Sequence, residues 1–286
     1  MNARNALPAR NGHTARDGHT ARDGHTARDG HTARDGHTAR DGRAAQRCAL
    51  ALALLAVSTA VGCAGTGQPE VSYLAHAEAA PAAEIAAGAW TIALDEAEVA
   101  FGPVQLCAAA SGSATLCDTA IAELLSIVRV DLLDPEPQPL GRVRGFEGEI
   151  RSASFDYGIH WFLTESAPVP SPAAPGGHSL RLRGRATRGA EALDFAADVD
   201  AVPQFQGLRA VPSLAVAARV GAEPVRLAVR FDVGAWLARV DFDALAEAAG
   251  GDAAGVVIAP GSRAHNALVL AMTAQRPPEL VWSASP

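Results

Sequence analysis

The chain has 286 residues, a formal net charge of −7 and 24 basic residues, every one of them arginine. The absence of lysine excludes Schiff-base catalysis and P-loop phosphate binding, which both need a lysine amine. The acidic balance argues against nucleic acid, and against anionic lipid held by basic patches.

Residues 12–41 are five tandem copies of Gly-His-Thr-Ala-Arg-Asp. The hexapeptide has a glycine, two opposite charges and no apolar face to bury, so it is expected to be disordered. Its five histidines invite a metal-binding reading, but they precede a stretch that reads as an export signal. Arg43 and Arg47 stand before an apolar run, Cys48 to Cys63, that ends in Ala60-Val61-Gly62-Cys63. The run is shorter than the ~20 apolar residues needed to span a bilayer. A positive flank, an apolar segment and a small-residue cut site together read as a secretory signal.

With cysteine directly after Val61-Gly62, this segment resembles the lipobox of bacterial lipoproteins. It departs from that pattern in its 47-residue leading region and in having Ala60 where leucine is usual. The resemblance implies that residues 1–62, repeat included, are removed and that Cys63 becomes the first mature residue. It would carry acyl chains, palmitate among them, and hold the protein in the bacterial cell envelope. Ala64, rather than aspartate, after the cysteine implies the outer membrane. The partner would then be a membrane, reached through the lipid alone. Nine arginines and five aspartates lie before Cys63, which leaves 15 arginines and 26 acids in the mature part, a formal −11.

Cys107 and Cys117 remain for the folded part. A lone pair in an exported chain reads as one disulfide closing a short loop rich in Ala, Ser and Gly. In the chain-entropy model such a loop contributes about 3 kcal/mol. Residues 63–88 are rich in Ala, Gly, Pro and Glu and read as a flexible lipid-anchored tether reaching about 25–30 Å, with Tyr73 and His76 incidental. Residues 89–286 read as a single domain, mainly β: an antiparallel β-sandwich with one to three short helices. Its opening from Trp90 to Val104 resembles uncharacterised exported β-domains.

Within that domain, Trp90, Ile92 and Leu94 alternate, then Ala97, Val99 and Phe101 continue on the opposite parity. The switch at Asp95-Glu96 predicts a bulge or tight bend. Asp118 to Ser126 reads as a short helix capped by Asp118, and Asp134 to Pro139 as an extended connection. Ser152 to Leu163 reads as one half-buried strand, with Ser152, Ser154, Asp156, Gly158 and His160 on the wet face. A Pro-rich loop fills 167–177. A hairpin follows, and if Gly189-Ala190 is its two-residue turn, facing residues have numbers that sum to 379. Arg185 then meets Asp194, and Arg181 meets Asp198. Val225 to Val233 reads as a strand, Asp243 to Ala249 as a helix stopped by Gly250, Ser262 to Ala274 as a helix in which Leu268-Val269-Leu270 reads equally as strand, and Leu280 to Trp282 as a closing strand.

The motif searches find no catalytic signature. Ser111-Gly112-Ser113 is not a nucleophile elbow, and there is no His-Glu-x-x-His, Gly-x-Gly-x-x-Gly or EF-hand run. Asp156 and His160 are about 13 Å apart if they lie along one strand, too far to chelate one ion without a further ligand such as His178. The expectation is therefore an envelope lipoprotein whose domain is non-catalytic, needs no cofactor, and binds a protein, glycan or small ligand or serves structurally. A metal-delivery lipoprotein using His160, His178 and Asp156 is the alternative, and a hydrolase with dispersed carboxylates is the second.

Overall fold

The computed structural model describes residues 67–110, 120–221, 223, 225–250 and 255–284. The repeat, Cys48, Cys63 and Cys117 lie outside the described residues.

Within the segment expected to be a tether, residues 70–79 and 85–87 are strand. Glu70–Ala79 forms strand β1, with Val71, Tyr73, Ala75 and Ala77 buried in alternation. Its three small alanines pack tightly inside a sheet, yet in sequence they read as linker composition. The three-residue Ile85–Ala87 is β2, so the fold includes most of the segment before residue 89. Next come Trp90–Phe101 (β3), Val104–Cys107 (β4), Ala122–Leu124 (β5) and Val128–Asp131 (β6). Of the helix expected from Asp118 to Ser126, the cap Asp118 lies outside the described residues, and from Ala122 to Leu124 the chain is strand β5, with Ala122 and Leu124 buried. Tertiary pairing overrides local propensity there.

Gln138–Phe146 (β7) and Gly148–Phe155 (β8) follow, joined by a short turn but separated in the sheet by β5 and β4. The single long strand expected over 152–163 ends at Phe155. Gly158 takes φ +73°, a conformation only glycine adopts without strain, and a Cβ there would overlap the Ala100 methyl. The chain therefore turns after Asp156 into the short Ile159–His160 (β9), which pairs with Val169–Pro170 (β10). A 3₁₀ turn at Pro175–Gly177 closes the Pro-rich loop. Leu180–Arg188 (β11) and Glu191–Val199 (β12) follow, then Val211–Val220 (β13) and Val225–Phe231 (β14). Val233, expected to end a strand, instead starts the helix Val233–Leu237 (α1) because the Asp232 carboxylate accepts the Ala235 N–H. Phe242–Ala249 (α2) is capped by Asp241, and it stops at left-handed Gly250, the stop that the sequence predicts. Val256–Ile258 (β15), Arg263–Leu270 (α3) with a π-helical extension over Ala271–Gln275, and Glu279–Ala284 (β16) complete the chain.

The fold is mainly β. One eight-stranded sheet has the order β13-β8-β4-β5-β7-β1-β14-β16; the other runs β15-β12-β11-β3-β2, with β6 also pairing β3. The two sheets share one apolar core in a sandwich. Pairing is antiparallel except for β1–β14 and β12–β15. The β11–β12 hairpin has the derived register at all nine pairs, from Leu180↔Val199 to Arg188↔Glu191. Its turn starts at Gly189 with φ +59°. Opposite β11, Asp95 drops out of the β3 ladder between Leu94↔Gly184 and Glu96↔Arg183, which is the bulge the parity switch predicts. Arg185 and Asp194 form the expected two-pronged pair, at 2.6 and 3.0 Å. Asp198 is bonded more closely by Arg183, at 2.9 Å, than by Arg181, at 3.6 Å.

Phe101 sits at the centre of an aromatic cluster, 5.2 Å from Phe155, 5.3 Å from Phe231 and 6.3 Å from Tyr157. Trp236 of α1 extends it, and Tyr157 Oη donates to the Met272 carbonyl at 2.7 Å. Edge-to-face pairs of this kind add about 0.5–1.5 kcal/mol each beyond their burial. They bind the two sheets and α3 together at one end of the molecule.

Candidate binding site

The direction of the strands in the larger sheet defines its two ends. Glu70, at the start of β1, is level with Phe146 and hence with the β7–β8 turn; Gly148 is level with Val220. Phe155, Val211, Val104 and Leu124 gather at the opposite end. The loops 156–171 and 200–210 follow Phe155 and precede Val211, so they project from that far end. Along the ladder Val71 is level with Gly145, Ala122, Leu106 and Ala153, so two to three residues of strand, about 10 Å, separate the level of Glu70 from that of Phe155.

These loops are built on a buried ion pair. Asp156, expected on a wet sheet face, is fully buried. Its Oδ1 accepts the Ala210 N–H at 2.7 Å, and its Oδ2 accepts from Arg209 Nη1 at 2.8 Å. Burial pushes the Asp156 carboxyl above its ordinary range, while the Ala210 N–H and the Arg209 charge pull the other way. The Arg209 guanidinium lies 5.8 Å from the Phe162 ring centre, and the His160 ring packs on the same Phe162 at 4.4 Å. His160 Nε2 is 3.4 Å from Glu165 Oε1.

Glu165 and Gln206 lock the two loops to each other. Glu165 Oε2 accepts the Phe162 N–H at 2.9 Å, and the Glu165 carbonyl accepts from Trp161 Nε1 at 3.1 Å. Gln206 Nε2 donates to the carbonyls of Glu165 and Leu163 at 2.6 and 3.1 Å. The Gly207 N–H reaches the Trp161 carbonyl at 2.7 Å. The frame is polar and cross-bonded between the two loops, yet it holds apolar side chains out to solvent. Leu163 is 78 % exposed, Phe205 59 % and Phe162 42 %, and Val169 and Val202 are exposed with them. Half of the ten exposed large hydrophobic side chains among the described residues lie in these two loops. Rigidly held apolar side chains clustered at a loop tip mark an interaction surface.

A second feature lies at the same end. The edge strands of the larger sheet, β13 and β16, are not paired to each other, yet residues 214–217 of β13 and 279–281 of β16 line one groove of about 650 Å³. Register shifts in β13, between Val211 and Leu214 and between Ala215 and Ala218, are bulges that bend this edge. Arg276 and Pro277 close the groove's far end. Arg230, also on its wall, is bonded to Glu78 at 2.8 Å, which together with His76 holds the Glu78 carboxyl below its ordinary range.

The three residues proposed as metal ligands do not converge. Asp156 is held by Arg209, His160 faces Glu165, and His178 Nδ1 bonds Asp200 at 2.9 Å. Among the described residues no group of three His, Cys, Asp or Glu side chains is arranged to hold a metal ion. Of the expected cysteine pair, Cys107 is buried at the end of β4, while Cys117 lies outside the described residues. Sequence reasoning missed Arg209, Glu165, Gln206 and Phe205. They sit in segments without periodicity, and nothing local marks Arg209 as the partner of an aspartate 53 positions earlier. No family model, curated protein or solved structure matches this chain.

Proposed function

We propose that the protein is an envelope lipoprotein anchored through acylated Cys63, with the Cys107–Cys117 pair oxidised, and that its β-sandwich is a non-catalytic binding module. The observation that carries the binding role is the apolar tip of Leu163, Phe205 and Phe162 on a frame cross-bonded by Glu165 and Gln206. The anchor rests on the signal-like run and on where the fold begins. Cys63 is seven residues before Glu70, at most about 25 Å of extended chain. A lipid there would hold the end of the sheet at which β1 starts, whereas the tip projects from the end to which β1 and β8 run. The geometry favours a protein partner in the envelope over the protein's own membrane as the tip's target.

The mass of the native N-terminus tests the anchor: a diacyl or triacyl cysteine at position 63 supports it, and an intact Met1 refutes it. The binding role is tested in cells by photo-crosslinkers at position 163 and, at the other end, at position 149. Discrete adducts from 163 alone support it; equal labelling from both positions, or none, refutes it.

A further inference from the structure

We infer that the groove between β13 and β16 is a peptide site that takes an extended C-terminal segment of a partner as an added strand, with its terminal carboxylate on Arg276. This inference depends neither on the lipid anchor nor on the apolar tip.

The strand directions carry the argument. Following the pairings from β8 to β16, β13 and β16 both run away from the far end: β13 from Val211 to Val220, β16 from Glu279 to Ala284. One strand entering in the opposite sense would be antiparallel to both edges at once, and antiparallel is the better pairing geometry. It would satisfy the outward-facing backbone groups of β13 and β16 together, as peptide addition to a sheet edge does.

Size agrees. One residue of a strand fills about 160 Å³, from a rise of about 3.4 Å, a strand spacing of about 4.8 Å and a sheet thickness of about 10 Å. The groove of about 650 Å³ therefore holds about four residues, matching residues 214–217 on its β13 wall. The half-buried Leu214, Val216 and Leu280 on its walls pack against the core, which suits a segment with apolar residues at alternate positions.

Polarity fixes the end. A strand antiparallel to β16 finishes beside Glu279, where Arg276 lines the groove. Arg276 is exposed, and its guanidinium has no ion-pair partner among the described residues, whereas Arg230 on the same wall is occupied by Glu78. A free α-carboxylate is the group that completes it, through a charge-assisted bond.

The test uses the full chain in detergent with a synthetic octapeptide of alternating valine and threonine, made as the free acid and as the C-terminal amide. Calorimetry should show the acid binding at least tenfold more tightly than the amide, and Arg276→Glu should abolish that difference. Amide hydrogen exchange should slow at 214–217 and 279–281 when the acid is added. Equal binding of acid and amide, no binding, or protection elsewhere overturns the inference. Protection of these amides without peptide also overturns it: a second copy holds the groove if the protection grows with protein concentration, and a segment of the same chain holds it if not.

Discussion

Arg209→Met in the chain from Ala64 onward, a compact unit, tests the frame beneath the apolar tip. The substitution keeps an unbranched side chain near Phe162 but strips Asp156, which is fully buried, of its cation. Breaking a buried pair from one side costs about 3–5 kcal/mol, because the surviving charge is left desolvated. The cost must depend on pH. Burial already raises the folded-state pKa of Asp156 above its unfolded value of about 3.9. An acid raised in this way is not penalised below its unfolded pKa, where both states are protonated; stability is lost as pH climbs from there through the folded-state value. Removing Arg209 raises the folded-state value further, so the variant's deficit is small at pH 3.5 and reaches its full size near neutrality. Urea denaturation at a series of pH values reads this directly. Asp156→Asn/Arg209→Met should recover part of the neutral-pH loss, since the asparagine oxygen can still accept the Ala210 N–H. A deficit below about 1 kcal/mol at pH 7, or one that does not change with pH, would show that Arg209 is not what holds Asp156 ionised.

Three further outcomes follow from the packing. Starting the chain at residue 85 removes β1 from between β7 and β14; it should give no cooperative unfolding transition, whereas the chain from Ala64 should give one. Tyr157→Phe leaves the aromatic contacts but deletes the donor to the Met272 carbonyl, and should cost about 1–3 kcal/mol in urea denaturation. Phe205→Ser should leave the melting temperature within about 2 °C of the parent, since the side chain is exposed, while sharply reducing the adducts formed from a crosslinker at position 163.

Some of this molecule was legible in its residues alone, for a physical reason. A hairpin with a two-residue turn has its register set by side-chain alternation and turn length, both local, so the nine β11–β12 pairs could be derived without any other strand. The bulge at Asp95 and the stop at Gly250 are likewise local, one a change of parity and the other a left-handed glycine. Where a residue's environment comes from distant segments, the pattern misled. The alanine-rich β1 resembles a linker until two neighbours hydrogen-bond to it, and Asp156 resembles a wet-face residue until the loop bearing Arg209 closes over it. Neither the apolar tip nor the groove has a sequence signature, because each is assembled from loops or edges far apart in the chain. Alternation and turn chemistry determined the mainly β character and the central hairpin; only tertiary structure decided which edges stay unpaired and which charge is buried, since both are set by contacts between segments.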